Sequence, residues 1–465
     1  MKRGLAVALI MGLASCGPTV RPDPLPPPPV DDEPVTDSPA VADEVPGRAP
    51  TRREARAMRR LSRVAESIRA LRFAREVPFR VQNRDVITRF VRDQIDAEEL
   101  ERARVFYVAL GLLPADLAVD ELIVRVLGEQ IVGYYDPEQS LMVVREDVAE
   151  ELGRSRSGSR SRELGEAEMV IVHELVHALQ DQQLGLGDNY REERSIDQEN
   201  AFAALVEGDA TLAMIGHMIA QQGQPLRSLT RNAALLRMLI RESPNAVQGQ
   251  EIENAPPIIR LPLVSRYLDG LVYCASLHGR DDWQAVDAAH RNPPASTEQV
   301  LHPARYAAGE MPDEVALPEL PEFATSGLVP HEEDTLGELE MGIWFGLGVG
   351  TQERNESAAE GWGGDRLRVY RRTSGGTPVV WFTTWDDEGE AREAESAALA
   401  AALEASTGMS HPPHVVRRGR ALLVLIDLGP ELTAVASRAF EAFEADLSAS
   451  PPAPSVDGTS AIDPG

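Results

Sequence analysis

The chain has 465 residues, 43% of them hydrophobic and 26% charged, with a formal net charge of −28 at pH 7. That length holds about two or three domains and a sizeable core, and so acidic a chain excludes nucleic acid as a partner, because phosphate binding needs a basic surface. Two cysteines, Cys16 and Cys274, exclude a disulfide framework and a cysteine zinc site.

In chain order, Lys2 and Arg3 precede an apolar run from Gly4 to Leu13, too short to span a bilayer as a permanent helix. The run ends in Leu13-Ala14-Ser15-Cys16-Gly17, which resembles the lipobox of bacterial lipoproteins. The resemblance implies a signal peptide at 1–15 and lipidation of Cys16. With no aspartate at Gly17, it also implies a lipid-anchored protein of the cell envelope, at the outer membrane of a Gram-negative bacterium. Acyl chains anchor without spanning, and no other stretch reads as long and apolar enough to cross. Residues 17–50 hold eleven prolines and seven acidic residues, so 16–50 reads as a lipidated cysteine and a semi-rigid tether.

A domain at 51–310 follows. Residues 51–80 carry ten arginines, and Leu61, Val64, Ile68 and Leu71 recur at helical spacing, predicting an amphipathic helix with a solvated basic face. Further helices are expected over 84–128, then strand, turn and strand through Ile131–Tyr135 and Ser140–Val144. A polar loop at 152–164 reads as a surface insertion, and helices resume over 165–291. Cys274, beside Leu271, Val272 and Tyr273, reads as an inert core thiol. Residues 311–333 read as a linker. A module at 334–447 follows, with a helix at 335–345, strands near 366–372, 377–384, 414–418 and 420–428, and helices at 387–404 and 431–447. Its expected form is one antiparallel sheet with helices on one face. Gly361-Trp362-Gly363-Gly364-Asp365 reads as a tight turn, and 448–465 as a disordered tail.

The segment that carries chemistry is His173-Glu174-Leu175-Val176-His177. Residues four apart share a helix face, so both imidazoles can reach one ion. Zinc accepts neutral imidazole nitrogen and acidifies bound water. Glu174 sits about 100° round the helix, placed to take a proton without ligating. The flanking Met169–Val172 and Leu175-Val176 bury this helix, where polar groups without partners are costly. A catalytic zinc needs a third ligand on another element. Glu207 stands in a second apolar helical stretch at 199–211, with Glu199 and Asp209 as competing carboxylates.

Over about 165–215 the sequence is similar to the thermolysin-like zinc metallopeptidases, the gluzincins. The resemblance implies a mostly helical, zincin-like catalytic domain. It implies one zinc ion held by His173, His177 and Glu207, with Glu174 as general base, and a peptide or protein substrate. It departs from that family in having Thr211, not aspartate, four residues after Glu207. Asp209 is then a candidate to orient a histidine or a plain surface residue. Asp181 either orients His177 or begins the solvated end of its helix. In Pro293–Pro303, His302 is a candidate oxyanion donor, or a loop histidine beside a helix opened by Ser296.

The expectation is therefore an α+β protein, a mostly helical zincin-like domain with a small C-terminal α+β sheet module, acting as a lipid-anchored envelope zinc metallopeptidase. The alternative is a non-catalytic envelope binding or scaffold lipoprotein with a structural or degenerate zinc site.

Overall fold

Thr51 opens the first helix, α1 (Arg52–Arg69), with a reciprocal cap: its hydroxyl accepts from the Glu54 N–H, and the Glu54 carboxylate accepts from the Thr51 N–H. Met58, Leu61 and Ala65 form its buried stripe. The helix is shorter than the 51–80 expected, because Ala70 turns left-handed at φ 59° and Phe79–Gln82 becomes a strand, β1. The structure, a computed structural model, describes residues 45–154, 162–189, 192–241, 250–351 and 353–449. The expected signal peptide, Cys16, most of the tether, residues 155–161 of the polar loop and nearly all of the tail lie outside the described residues.

Helices α2 (Arg84–Gln94), α3 (Ala97–Ala109) and α4 (Val119–Gln130) lead to a hairpin of β2 (Gly133–Asp136) and β3 (Leu141–Arg145). Asp136 closes the turn by accepting from the Gln139 N–H. The small sheet runs β1-β3-β2, with β1 parallel and β2 antiparallel to β3. Behind it lies a helical core: α5 (Glu146–Arg154), α6 (Arg162–Leu184), α7 (Ile196–Ala220) and the kinked α9 (Pro257–Arg291), with α8 (Ala233–Arg241) alongside. In α6, Ile171, Val172, Leu175, Val176, Ala178 and Leu179 are all fully buried, so this helix passes through the core rather than over it. Helix α7 is long and apolar enough to cross a membrane by length and composition, contrary to the sequence expectation, but 78% of its apolar window is buried inside the fold.

Helices α7 and α9 cross with their backbones nearly in contact. A Cβ built on Gly208 would lie 2.2 Å from the carbonyl of Gly270, and one on Gly270 would lie 2.2 Å from the Ala204 oxygen. Only glycine lets the two backbones approach this far.

The chain ends in a five-stranded antiparallel sheet, order β4-β5-β6-β8-β7. Its strands are β4 (Leu328–Asp334), β5 (Trp362–Arg372), β6 (Val379–Trp385), β7 (His414–Arg418) and β8 (Ala421–Ile426). A helix α10 (Thr297–Leu301) precedes it, α11 (Gly337–Gly348) and α12 (Glu388–Ala405) are threaded through it, and α13 (Pro430–Ala449) closes it. The protein is of the α+β class, with a largely helical body and this small sheet near the C-terminus.

Three expectations change. The 311–333 segment is not a free linker: its last six residues belong to β4, and Asp313 donates its N–H to Gly363. Helices cover both faces of the sheet, not one. Leu367, Trp381, Val424 and Ile426 face the core shared with α11 and α12, while Tyr370, Phe382, Leu423 and Leu425 pack with Phe440 of α13. The Gly361–Asp365 string is the start of β5, with only Gly361 turning, at φ +81°. Asp365 is buried and accepts four hydrogen bonds, from the Leu336 and Gly337 N–H groups and the Trp362 and Trp381 indoles.

The boundary at 311–333 does not divide two cores either. Phe106, Leu110 and Leu113 from the N-terminal helices share one cluster with Trp344, Trp381 and Trp385, and the Trp344 indole donates to the Leu110 oxygen.

Candidate metal centre

Helical periodicity on α6 puts His173 and His177 on one face, and α7 crosses that face with Glu207. His173 Nε2 lies 3.1 Å from Glu207 Oε2 and 3.1 Å from His177 Nε2. His177 Nε2 is 3.5 Å from the same carboxylate oxygen. Three ligand atoms from two helices thus converge on one point. Bonds of roughly 2.0–2.1 Å to a tetrahedral ion space ligand atoms by about 3.3 Å, so the donor set and its spacing both fit zinc. His173, Glu174, His177 and Glu207 are only 4%, 1%, 5% and 1% exposed.

Glu174 points elsewhere. Its Oε2 accepts from the Tyr135 N–H of β2 at 3.2 Å. Its Oε1 is buried with no hydrogen-bond partner among the described residues. Burial, reinforced by the Glu207 charge, pushes this carboxyl up to about 8. Glu207 moves the other way. Burial raises it, but the charge of His177 and hydrogen bonds from both histidines prevail and hold it at about 2. Burial disfavours the charged form of His177 too, yet the Glu207 carboxylate outweighs it and raises the imidazole to about 9. Burial lowers His173. Glu207 thus favours the charged form of His177, and the two histidines favour the charged form of Glu207.

Glu207, Gly208 and Asp209 point three ways, as successive helical residues must. Glu207 faces the histidines, Gly208 makes the α9 crossing, and Asp209 enters a buried polar cluster. There it accepts from Arg69 Nε at 2.6 Å, from Gln180 Nε2 at 2.9 Å, and pairs with His290 Nε2 at 2.9 Å. Burial alone would raise Asp209; Arg69 holds it well below the usual carboxylate range. Asp209 is therefore neither a surface residue nor in contact with a ligand histidine. The group on His177 is Gln180, whose Oε1 lies 2.8 Å from His177 Nδ1.

Asp181 does not touch His177. It accepts from the Tyr135 hydroxyl at 2.7 Å and from the Gly187 N–H, because position 181 faces the hairpin where position 180 faces α7. His302 pairs with Glu338 of α11 at 2.9 Å, behind α10, whose cap is Ser296 accepting from the Gln299 N–H; it contacts none of the four centre residues. Glu199 stands apart from Glu207 on α7 and lines a cavity of about 830 Å³, with Tyr107, Asn200, Arg266 and Glu340 among its other walls. None of His173, Glu174, His177 and Glu207 lines that cavity. A second carboxylate group, Glu298, Glu310 and Asp386, encloses the Arg305 guanidinium, which supplies its cation. Cys274 is buried, with its thiol against the Leu205 oxygen, and burial raises it well above the ordinary thiol range.

Sequence reasoning missed Gln180, Arg69, His290, Tyr135 and Tyr267, whose ring lies 6.0 Å from that of His173. Only Gln180 carried a local signal, three residues after His177 and hence on its face.

Residues 327–428 match a family described as a domain of unknown function, DUF8575. The match covers the five-stranded sheet with α11 and α12 and contains none of the metal-centre residues. No curated protein matches the chain, and no solved structure matches it.

Proposed function

We propose that the protein is a zinc-dependent peptidase of the cell envelope, anchored through a lipid on Cys16. The observation that carries the reading is the convergence of His173, His177 and Glu207 from two buried helices, beside a glutamate with an uncommitted oxygen. His173 Nε2, His177 Nε2 and Glu207 Oε2 would hold the ion. Zinc, when bound, polarises a carbonyl and acidifies water. Glu174 would do the proton work: the charge of a bound zinc would favour the carboxylate that burial alone disfavours. The Tyr135 N–H fixes one oxygen, and the other, without a partner among the described residues, would take a proton from water and deliver it to the leaving amine.

Glu174→Gln keeps the side chain's size and removes the base. The variant should fold, retain about one zinc per chain, and lose on the order of 10²–10⁴-fold in peptide turnover. A variant cleaving a peptide library at the wild-type rate would refute the assignment. The alternative, a binding lipoprotein with a structural zinc, draws on the deep burial of the triad and on a cavity that it does not line. Chelation separates the two, because removing a structural ion unfolds the protein whereas removing a catalytic one leaves it folded and inactive.

A further inference from the structure

We propose that Gln180 is the positioning residue of the metal centre: its amide fixes which nitrogen of His177 carries the proton, and Asp209, held by Arg69 and His290, fixes the amide. The inference deepens the zinc reading and rests on it for metal affinity, but its hydrogen-bond argument stands on the protein alone.

The argument begins with the amide protons. Gln180 is fully buried, and its Nε2 donates to the Val206 oxygen at 3.0 Å and to Asp209 Oδ2 at 2.9 Å. Both partners are acceptors only. Turning the amide over would set its oxygen against a carbonyl and a carboxylate oxygen, acceptor against acceptor in a dry interior, and would lose both of its N–H bonds. The orientation is therefore determined, and Oε1 faces His177 Nδ1 at 2.8 Å. An oxygen there accepts, so Nδ1 must donate. A neutral imidazole has one N–H, which leaves the Nε2 lone pair for the site shared with His173 and Glu207.

An amide also suits the place better than a carboxylate. A glutamate at 180 would bring its charge against Asp209, and like charges at that range oppose each other. Asp209 tolerates burial because Arg69 Nε meets its other oxygen at 2.6 Å, while Arg69 Nη2 reaches Asp287 at 2.5 Å. The relay thus ties α1, α6, α7 and α9 to one ring orientation. It explains why Arg69, the last residue of an otherwise solvated basic helix, is fully buried.

The test uses the full chain and Gln180→Met, which keeps length and removes the hydrogen bonds. Leu179→Ala, a packing loss on the same helix, is the control for simple destabilisation. Two quantities are read: zinc affinity by chelator competition, and the His177 tautomer by ¹⁵N NMR of metal-free protein at alkaline pH, where the imidazole is neutral. The wild type should show Nδ1–H. Gln180→Met should lose that preference and bind zinc about 10–100-fold more weakly, whereas Leu179→Ala should keep the tautomer. An Nε2–H tautomer in the wild type overturns the proposal even if Gln180→Met does not fold. So does an unchanged tautomer in Gln180→Met. A wild type with the Nδ1–H tautomer but no zinc affinity overturns the metal reading instead and upholds the positioning role of Gln180.

Discussion

Replacing Gly208 by alanine tests whether the α7–α9 crossing sets the metal centre. The added Cβ would lie 2.2 Å from the carbonyl carbon and oxygen of Gly270 and 2.8 Å from its Cα, against 3.4–4 Å for ordinary contact. All three atoms are backbone, so no side chain can swing aside, and the helices must part by about 1 Å or one must bend. Alanine gains about 1 kcal/mol over glycine in helix propensity. Overpacking a rigid core costs about 1–3 kcal/mol, and more where backbone must move. Since here only backbone can move, the cost is taken at about 3 kcal/mol, and the net expectation is a loss of about 2 kcal/mol. Because Glu207 and Asp209 flank the substituted residue, the shift also misplaces a ligand, and ligand distances tolerate only about 0.2 Å. Urea unfolding and zinc competition read the two effects separately, with Gly165→Ala on α6 as control, since nothing among the described residues lies within 4 Å of a Cβ there. A Gly208→Ala protein with wild-type zinc affinity and an unchanged or higher urea midpoint would refute the reasoning.

The pH dependence of the chelated protein has a definite sign. His177 is raised from 6.5 to about 9, so its share of stability is complete below about 6.5 and is lost as pH rises through about 9. Glu207 is lowered from 4.5 to about 2, so the same ion pair contributes fully above about 4.5 and is lost as pH falls through about 2. The metal-free urea midpoint should therefore decline from pH 6.5 to 9 in the wild type and not in His177→Ala, while bound zinc should remove that alkaline decline; identical profiles for wild type and His177→Ala would contradict it. Cys16→Ala should leave the protein extractable without detergent, and continued partition with membranes after a salt wash would move the anchor elsewhere, with α1 and its exposed Arg52, Arg53, Arg56 and Arg59 as the next candidate.

How much of this was legible in the sequence depends on the range of the interaction. His173 and His177 could be placed on one face because helical periodicity is local. The burial of α6 followed from the apolar residues on either side of the motif, Met169–Val172 and Leu175-Val176. Glu207 was legible only as an acid in an apolar helix; that it, and not Glu199 or Asp209, meets the histidines depends on where α7 crosses α6. Positions 180 and 181 both follow His177 at helical-neighbour spacing, and a carboxylate is the commoner partner for a ligand histidine. Asp209 reverses that choice, and it lies 29 residues downstream of Gln180. Strand β4 was invisible for another reason. Leu328-Val329-Pro330-His331-Glu332-Glu333-Asp334 has no alternation and contains a proline, which an edge strand accommodates at the bulge between Pro330 and Glu332.

Glu207-Gly208-Asp209 shows why such a site resists reading one residue at a time. Each residue has an ordinary explanation alone: a buried acid, a helix-weakening glycine, an acid beyond it. Their meaning comes from three different neighbours about 100° apart around one helix. Glu207 needs α6 opposite it, Gly208 needs Gly270 of α9, and Asp209 needs Arg69 of α1 and His290 of α9. The glycine is the constraint on the other two, because the depth of its crossing decides whether Glu207 reaches the histidines and whether Asp209 reaches Gln180. Substitutions that leave both carboxylates intact can therefore disable the centre, and the identity of position 208 should bear on zinc affinity as directly as that of position 207.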